Sequence, residues 1–268
     1  MGAERHVLLA QVRRRPAGPR PQRPHGPHLL LTGRNLIVNA GHTGYEVSAY
    51  RDYIRSPEAA STFISPVTRF YASQSTQLVT DTIGTTSQYY ELSDHAFGGG
   101  PRARSVYAHQ GPDFLLVLDS GSGNSSYQQL WHLDPSLTVT SLTAASATAT
   151  APAIAATAKT PAVPATALHL IRIPLPGQVI PAGSTTVVKG QTNPCQGWVS
   201  RQALQRIPAL VVIMSSQGVG PSLSTVMLTL IAATAPGTPV SATASATSSG
   251  SYDVTVRIGS TTVPVTIP

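Results

Sequence analysis

Asp113-Phe-Leu-Leu-Val-Leu-Asp119 (DFLLVLD) is an unbroken run of five large apolar residues closed at each end by a carboxylate. It is too short for a helix with its own buried stripe, and it lacks the alternation of a half-solvated strand. It therefore reads as a strand covered on both faces, central in a sheet. Working outward, strand-length segments recur on either side: Asn35–Asn39, Gln77–Thr82, Ser87–Leu92, Arg104–His109 and Ser126–Leu133. Leu130 and Trp131 are placed to anchor a core. Further on come Ala167–Ile173, Thr185–Val188, Leu210–Met214, Thr225–Ile231, Val240–Thr247, Tyr252–Ile258 and Thr261–Ile267. The last two flank Gly259-Ser260, a hairpin turn. Val254, Val256 and Ile258 alternate with Thr255 and Arg257, the period of a half-buried strand. Many short strands separated by turn residues predict an all-β fold, a sandwich or a barrel.

Composition agrees. The 268 residues include 23 Pro and 22 Gly, a density of breakers that excludes long helices. No apolar run approaches the roughly 20 residues of a membrane span, so no membrane partner is expected. The lone cysteine, Cys195, excludes an internal disulfide and a Cys-rich zinc site. The net charge of +7 points at first to nucleic acid. Its distribution argues otherwise. Residues 1–27 carry six arginines against Glu4, and without them 12 basic and 10 acidic residues remain. The basic segment has no aromatic residue to stack on a base and no apolar period to bury. It reads as a disordered start, and its Arg-Pro-Gly-Ala-His composition is also what GC-rich DNA yields out of frame. No nucleic-acid partner is expected.

Three kinds of short pattern invite a chemical reading: glycine-rich runs, a histidine pair and a polar segment. Gly98-Gly99-Gly100 lacks the lysine and the following helix of a phosphate loop, and Ser120-Gly121-Ser122-Gly123 lacks the frame of a nucleophile elbow. Both read as turns. His25 and His28 are close enough to share a metal or a proton, but Pro27 lies between them at the end of the basic segment. The third pattern is the polar segment His42–Pro57, which holds His42, Tyr45, Tyr50, Arg51, Tyr53 and Arg55. Tyrosine stacks on sugar rings and arginine pairs bidentately with carboxylate or sulfate, chemistry suited to an acidic polysaccharide. A tyrosine-rich loop packed on its own sheet has the same composition, so the residues alone leave both readings open. Residues 143–167 are almost all Ala, Thr, Pro and Ser and read as a long exposed loop or a linker.

The stretch NLIVNAGHTGYEVSAYRDYIRSPEAASTF, residues 35–63, resembles the heparinase II/III-like polysaccharide lyases. The β-domain of that family reads as a His-x-His-x-Asp strand, then G-x-x-L-x-V-D-x-G, then Y-R-x-Y-x-R-S-x-x-A-H-N-T. Gly33, Leu36, Val38, Gly41, Tyr50, Arg51, Tyr53, Arg55, Ser56, Ala59 and Thr62 fall on the pattern. RSVYAHQGPDFLLVLDSGSG, YQQLWHL with its Trp-His pair, IPLPG and NPCQGWVSR resemble later blocks, so the likeness runs over residues 25–231. The resemblance implies a β-sandwich of supersandwich-like type with antiparallel sheets. The chain is read as the basic segment 1–27, a sandwich over 28–192 and strands over 193–268 that complete or extend it. The resemblance also implies β-elimination on a uronate-containing polysaccharide and a secreted or periplasmic setting.

The departures fall on the chemistry. Ala60 and Ser61 stand where the family has His and Asn, Asn39 stands for its Asp, and the histidine strand survives only as His25-Gly-Pro-His28. His25 and His28 are thus the remaining catalytic candidates. His42, Tyr45, Tyr50, Arg51, Tyr53 and Arg55 are the candidates for binding substrate. With Ala60 and Asn39 in place of ligands, neither a metal nor another cofactor is expected. The family's α/α toroid has no counterpart in 1–27, so the reading is of a truncated lyase, inactive alone. The alternative is a non-catalytic carbohydrate-binding or structural β-protein of the same descent. The oligomeric state stays open.

Overall fold

The computed structural model describes residues 29–268 apart from 32, 33, 43, 45 and 46. The basic segment, His25, His28 and Tyr45 lie outside the described residues. In chain order, β1 (Leu29–Leu31) and β2 (Arg34–Ile37) form a hairpin. Helix α1 (Ala49–Arg55), a 3-10 turn (Pro57–Ala59) and β3 (Phe63–Ile64) follow. Next come β4 (Gln77–Ile83), β5 (Ser87–Asp94), β6 (Arg102–His109), β7 (Phe114–Gly121) and β8 (Ser126–His132). They lead to β9 (Thr138–Leu142), β10 (Ser146–Ala151), β11 (Thr166–Ile173) and β12 (Thr185–Lys189). Four two-residue strands shape the next loop: β13 (Gln191–Thr192), β14 (Cys195–Gln196), β15 (Trp198–Val199) and β16 (Ile207–Pro208). The chain closes with β17 (Leu210–Gln217), β18 (Thr225–Thr234), β19 (Val240–Ala246), β20 (Tyr252–Ile258) and β21 (Thr261–Ile267).

These strands make three antiparallel layers. The middle layer has eight strands in the order β4-β5-β6-β7-β18-β11-β10-β9. A four-stranded sheet, β12-β17-β8-β3, covers one of its faces, and the three-stranded sheet β19-β20-β21 covers part of the other. The apolar run that opens the sequence analysis is β7. Leu115 and Val117 pack with Trp131, Val212 and Met214, while Phe114 and Leu116 pack with Val254, Val256 and Ile267. Both faces are dry, which is why the run does not alternate. At about 25 cal/mol per Å² of buried apolar surface, such a strand holds two interfaces together at once.

The position of β17 and β18 bears on the expected division at residue 192. β18 lies between β7 and β11, and β17 lies between β12 and β8, so residues 210–234 sit inside both main sheets. Two expectations need correcting. The Ala/Thr-rich segment 143–167 is not one exposed loop, because β10 runs through it between β9 and β11. Ala147, Ala149 and Ala151 face the core while the intervening threonines face outward, a period-2 pattern written in small residues. The segment His42–Pro57 is not all loop, since it contains α1. Ser48 caps that helix by accepting from the Arg51 N–H at 3.2 Å, and Tyr50 and Tyr53, three residues apart, are its buried face. The two glycine runs pack as turns. A Cβ on Gly99 would lie 2.7 Å from the Gly123 carbonyl oxygen, so backbone meets backbone there.

A polar network crosses the dry interface between the two main sheets. Arg104 on β6 donates from Nε to Asp119 Oδ1 at 2.6 Å and from Nη2 to Oδ2 at 2.7 Å. Asp119 is fully buried and also accepts from Gln129 of the facing sheet at 2.7 Å. Thr229 donates to the Gln129 Oε1 at 2.5 Å, which closes the chain of bonds. The Arg104 guanidinium sits 5.2 Å from the Trp131 ring centroid. Removing one member of a buried pair strands the other charge, at a cost of about 3–5 kcal/mol. Arg104→Met is therefore expected to lower unfolding stability by about that amount. In urea titrations at unchanged m, Arg104→Met/Asp119→Leu should lose less than the sum of the two single variants. Additive losses would mean that the two residues act independently.

Candidate functional site

Three stretches of backbone wall a cleft of about 580 Å³. The first is 39–42, the second runs from Ile54 to Ala60, and the third is 200–203. Backbone bonds tie the walls together. The Ala40 N–H donates to the Ala59 carbonyl at 3.2 Å, and the Ser200 N–H donates to the Ala40 carbonyl at 2.8 Å. Gly41 is required at this junction, because its φ is +80° and a Cβ would lie 2.0 Å from the Ser200 carbonyl oxygen. The Ser200 hydroxyl lies within bonding distance of the carbonyls of Gln202, at 3.0 Å, and Gln205, at 2.6 Å, and folds the third wall on itself.

The second wall is fixed from below. The Ser61 carbonyl accepts from Arg104 Nη1 at 2.8 Å, the Thr62 carbonyl from the Leu130 N–H at 2.9 Å, and the Phe63 carbonyl from Arg102 Nη1. Arg102 is itself clamped to Asp94, with Nε to Oδ1 at 2.6 Å and Nη2 to Oδ2 at 3.0 Å. Burial alone would raise the Asp94 pKa. The bonds and charge of Arg102, with the Ala96 N–H and the Thr76 hydroxyl, outweigh it and hold the carboxyl below its ordinary value.

Under the cleft lies His132, only 1% exposed. Its Nε2 is 3.3 Å from the Tyr53 hydroxyl, and its backbone N–H donates to Ser61 Oγ at 2.9 Å. Burial pushes its pKa down to about 4, against the opposing pull of the Glu58 backbone, so the ring is neutral at pH 7. Nε2 and the Tyr53 hydroxyl share one hydrogen bond, whose direction the ring tautomer sets. Burial likewise raises the Tyr53 pKa, so that hydroxyl stays protonated. The couple joins α1 to β8.

The expected site residues separate. His42 is exposed and lines the cleft. Arg51 is half-buried and Arg55 exposed on α1, while Ile54 and Ser56 of the same stretch reach the cleft. Tyr50 and Tyr53 are 3% and 5% exposed, and their rings pack with Ala40 and Ala59 instead of offering a face to a sugar. Arg206 stacks over the Tyr50 ring at 4.7 Å. Asn39 and Ala60, the two altered positions of the sequence pattern, meet on the same cleft although 21 positions separate them in the chain. Among the described residues no group of three His, Cys, Asp or Glu side chains is placed to hold a metal.

Sequence reading overlooked Arg104, Asp119, His132 and Arg201. An arginine pair spaced i, i+2 on one strand, with an aspartate closing the apolar run of the next, was the available signal for the first two. His132 stood in the quoted Trp-His pair, but nothing local marks it as buried. Arg201 stood at the end of NPCQGWVSR, and only the fold brings it to the cleft.

No family model and no curated protein matches the sequence. Solved structures do match the fold. Heparan sulfate lyase HepC from Pedobacter heparinus superposes with a TM-score of 0.71 at 12% identity, over 92% of this chain and 37% of that one. A heparinase III, the BT4657 gene product, gives 0.67 at 12% identity, over 94% and 37%. A further heparinase III gives 0.66 at 12% identity, over 91% and 36%. The chain spans a little over a third of the length of these structures. At such identity the likeness is one of fold: the chain has the β-architecture found in heparinase III and HepC.

The His132 couple has a pH consequence. Its folded pKa of about 4 lies below the unfolded value of 6.5, so the unfolded chain binds the extra proton between them. Stability from this group is complete above pH 6.5 and is lost as pH falls toward 4, by about 3 kcal/mol in all. Unfolding free energies measured across that window should fall steeply for the native sequence and more gently for His132→Gln. Parallel profiles would remove His132 as the cause.

Proposed function

We propose that the chain is a lyase-like β-domain whose cleft takes an acidic, uronate-containing polysaccharide, and that it does not carry out β-elimination alone. One observation supports the reading above the others. Among the described residues, those lining the cleft include Arg201 and His42 but no aspartate or glutamate, so an anionic chain would meet basic and neutral side chains there. The fold adds weight, since its solved neighbours are named as heparan sulfate lyases and heparinases. A volume of about 580 Å³ fits one or two sugar rings within an open groove.

The absence of turnover in this reading is supported by Ala60 and Asn39. They lie together on the cleft where the resembling family has His and Asp, so acid–base and ligand groups are missing at one place. Losing one acid–base group typically costs ~10²–10⁴-fold in rate. A secreted or periplasmic setting follows for a domain that meets such polymers. Among the described residues no helix is long and apolar enough to cross a membrane.

Two assays on the purified chain test this. Isothermal titration with hyaluronan and heparan sulfate oligosaccharides should register binding. Ultraviolet absorbance of unsaturated uronate should stay flat with either polymer. A rise that boiling abolishes would overturn the non-catalytic assignment, and the absence of any binding would overturn the polysaccharide reading itself.

A further inference from the structure

We infer that Arg201 is the residue that selects an acidic sugar in the cleft and that Asp134 positions it; this rests on the polysaccharide reading above. Arg201 is the one arginine among the described residues that line the cleft. Its side chain is 55% exposed, whereas that of Asp134 behind it is 7% exposed. Arg201 Nη2 donates to Asp134 Oδ2 at 2.7 Å. Guanidinium has five N–H donors, and this bond commits one of them. Asp134 does not line the cleft. The cation of the pair thus belongs to an exposed side chain of the lining, and its carboxylate is buried outside the lining.

Both partners are held. The Asp134 N–H donates to the Leu36 carbonyl at 3.0 Å, and Asp134 Oδ1 accepts from the Ser136 N–H at 2.9 Å. The carboxylate is therefore pinned on the oxygen that does not bind arginine. On the other side, Ser200 is 5% exposed and tied to Ala40, and its hydroxyl draws in the carbonyls of Gln202 and Gln205. The turn that carries Arg201 is fixed by the residue just before it. A guanidinium held on one edge and open on the other suits an anion with two adjacent oxygens, a uronate carboxylate or a sulfate ester. Lysine in its place keeps the charge but loses the fork.

Isothermal titration of the full chain tests this with three probes: a hyaluronan oligosaccharide (carboxylate only), a heparan sulfate oligosaccharide (carboxylate and sulfate) and a neutral N-acetylglucosamine oligomer. Arg201→Ala should weaken an acidic probe roughly 10- to 100-fold, as for a charge-assisted bond, and leave the neutral probe unchanged. Arg201→Lys should recover only part. Loss with both acidic probes assigns the carboxylate, and loss with heparan sulfate alone assigns the sulfate. Asp134→Ala separates positioning from charge. Removing a carboxylate tightens anion binding if only net charge matters, whereas a positioning residue makes binding weaker. Asp134→Asn, which keeps an acceptor for Ser136, should behave in the same direction, and thermal melts confirm folding. Acidic probes that bind the native chain and Arg201→Ala equally overturn this inference and leave the polysaccharide reading intact. Tighter binding by both Asp134 variants overturns the positioning role. No binding by the native chain overturns the reading on which both rest.

Discussion

Two arginines on one strand hold the backbone of another element by its carbonyl oxygens, and much of the molecule follows from that. Arg102 and Arg104 leave β6 on the same face and reach the carbonyls of Phe63 and Ser61. Each is neutralised by an aspartate on a neighbouring strand, Asp94 on β5 and Asp119 on β7. Charge inside a sandwich is tolerated only when its bonds are complete, and here both forks are filled. Because Gln129 and Thr229 join the same network, the bonds that neutralise the charge also fix how the two sheets face each other. The segment 59–63 therefore crosses the end of the sandwich in one place, and Ala59 and Ala60 become a wall.

The lining of the cleft follows from backbone more than from side chains. Its walls are joined through Ala40, Ala59 and Ser200, and the glycine at 41 lets two chains approach where any Cβ would collide. His132 and Tyr53 support the floor as a neutral pair, with burial holding the imidazole uncharged. Such a floor offers rigidity without a proton acceptor at the surface. The basic side chains of the lining, His42 and Arg201, are exposed, so the guanidinium is solvated.

Sequence alone made much of the fold legible, for a physical reason. A strand buried on both faces must be apolar throughout, so DFLLVLD declared its own position, and Val254 to Ile258 declared a half-covered layer. β10 stayed hidden because Ala and Thr alternate with little contrast in hydrophobicity, so its period was masked by its composition. Helix α1 was hidden among polar residues, although Ser48 as cap and Tyr50, Tyr53 and Ile54 at i, i+3 and i+4 carried the signal. Part of the site was legible too: Asn39, His42 and Ala60 were singled out and reach one cleft. The two tyrosines of the pattern could not be assigned from sequence, since a ring that stacks on sugar and a ring that packs under a helix are written with the same letter. Arg201 and Asp134, 67 positions apart, are joined only by the fold.

Hydrogen exchange on Arg104→Lys tests most directly whether the arginine anchors shape the cleft. Lysine keeps a cation for Asp119 but loses the planar fork whose separate nitrogens reach both Asp119 and the Ser61 carbonyl. The account predicts faster exchange confined to peptides spanning residues 58–64 and the adjoining end of β8, with β19 to β21 unchanged. Unchanged exchange over 58–64, or acceleration spread evenly over all three layers, would contradict it.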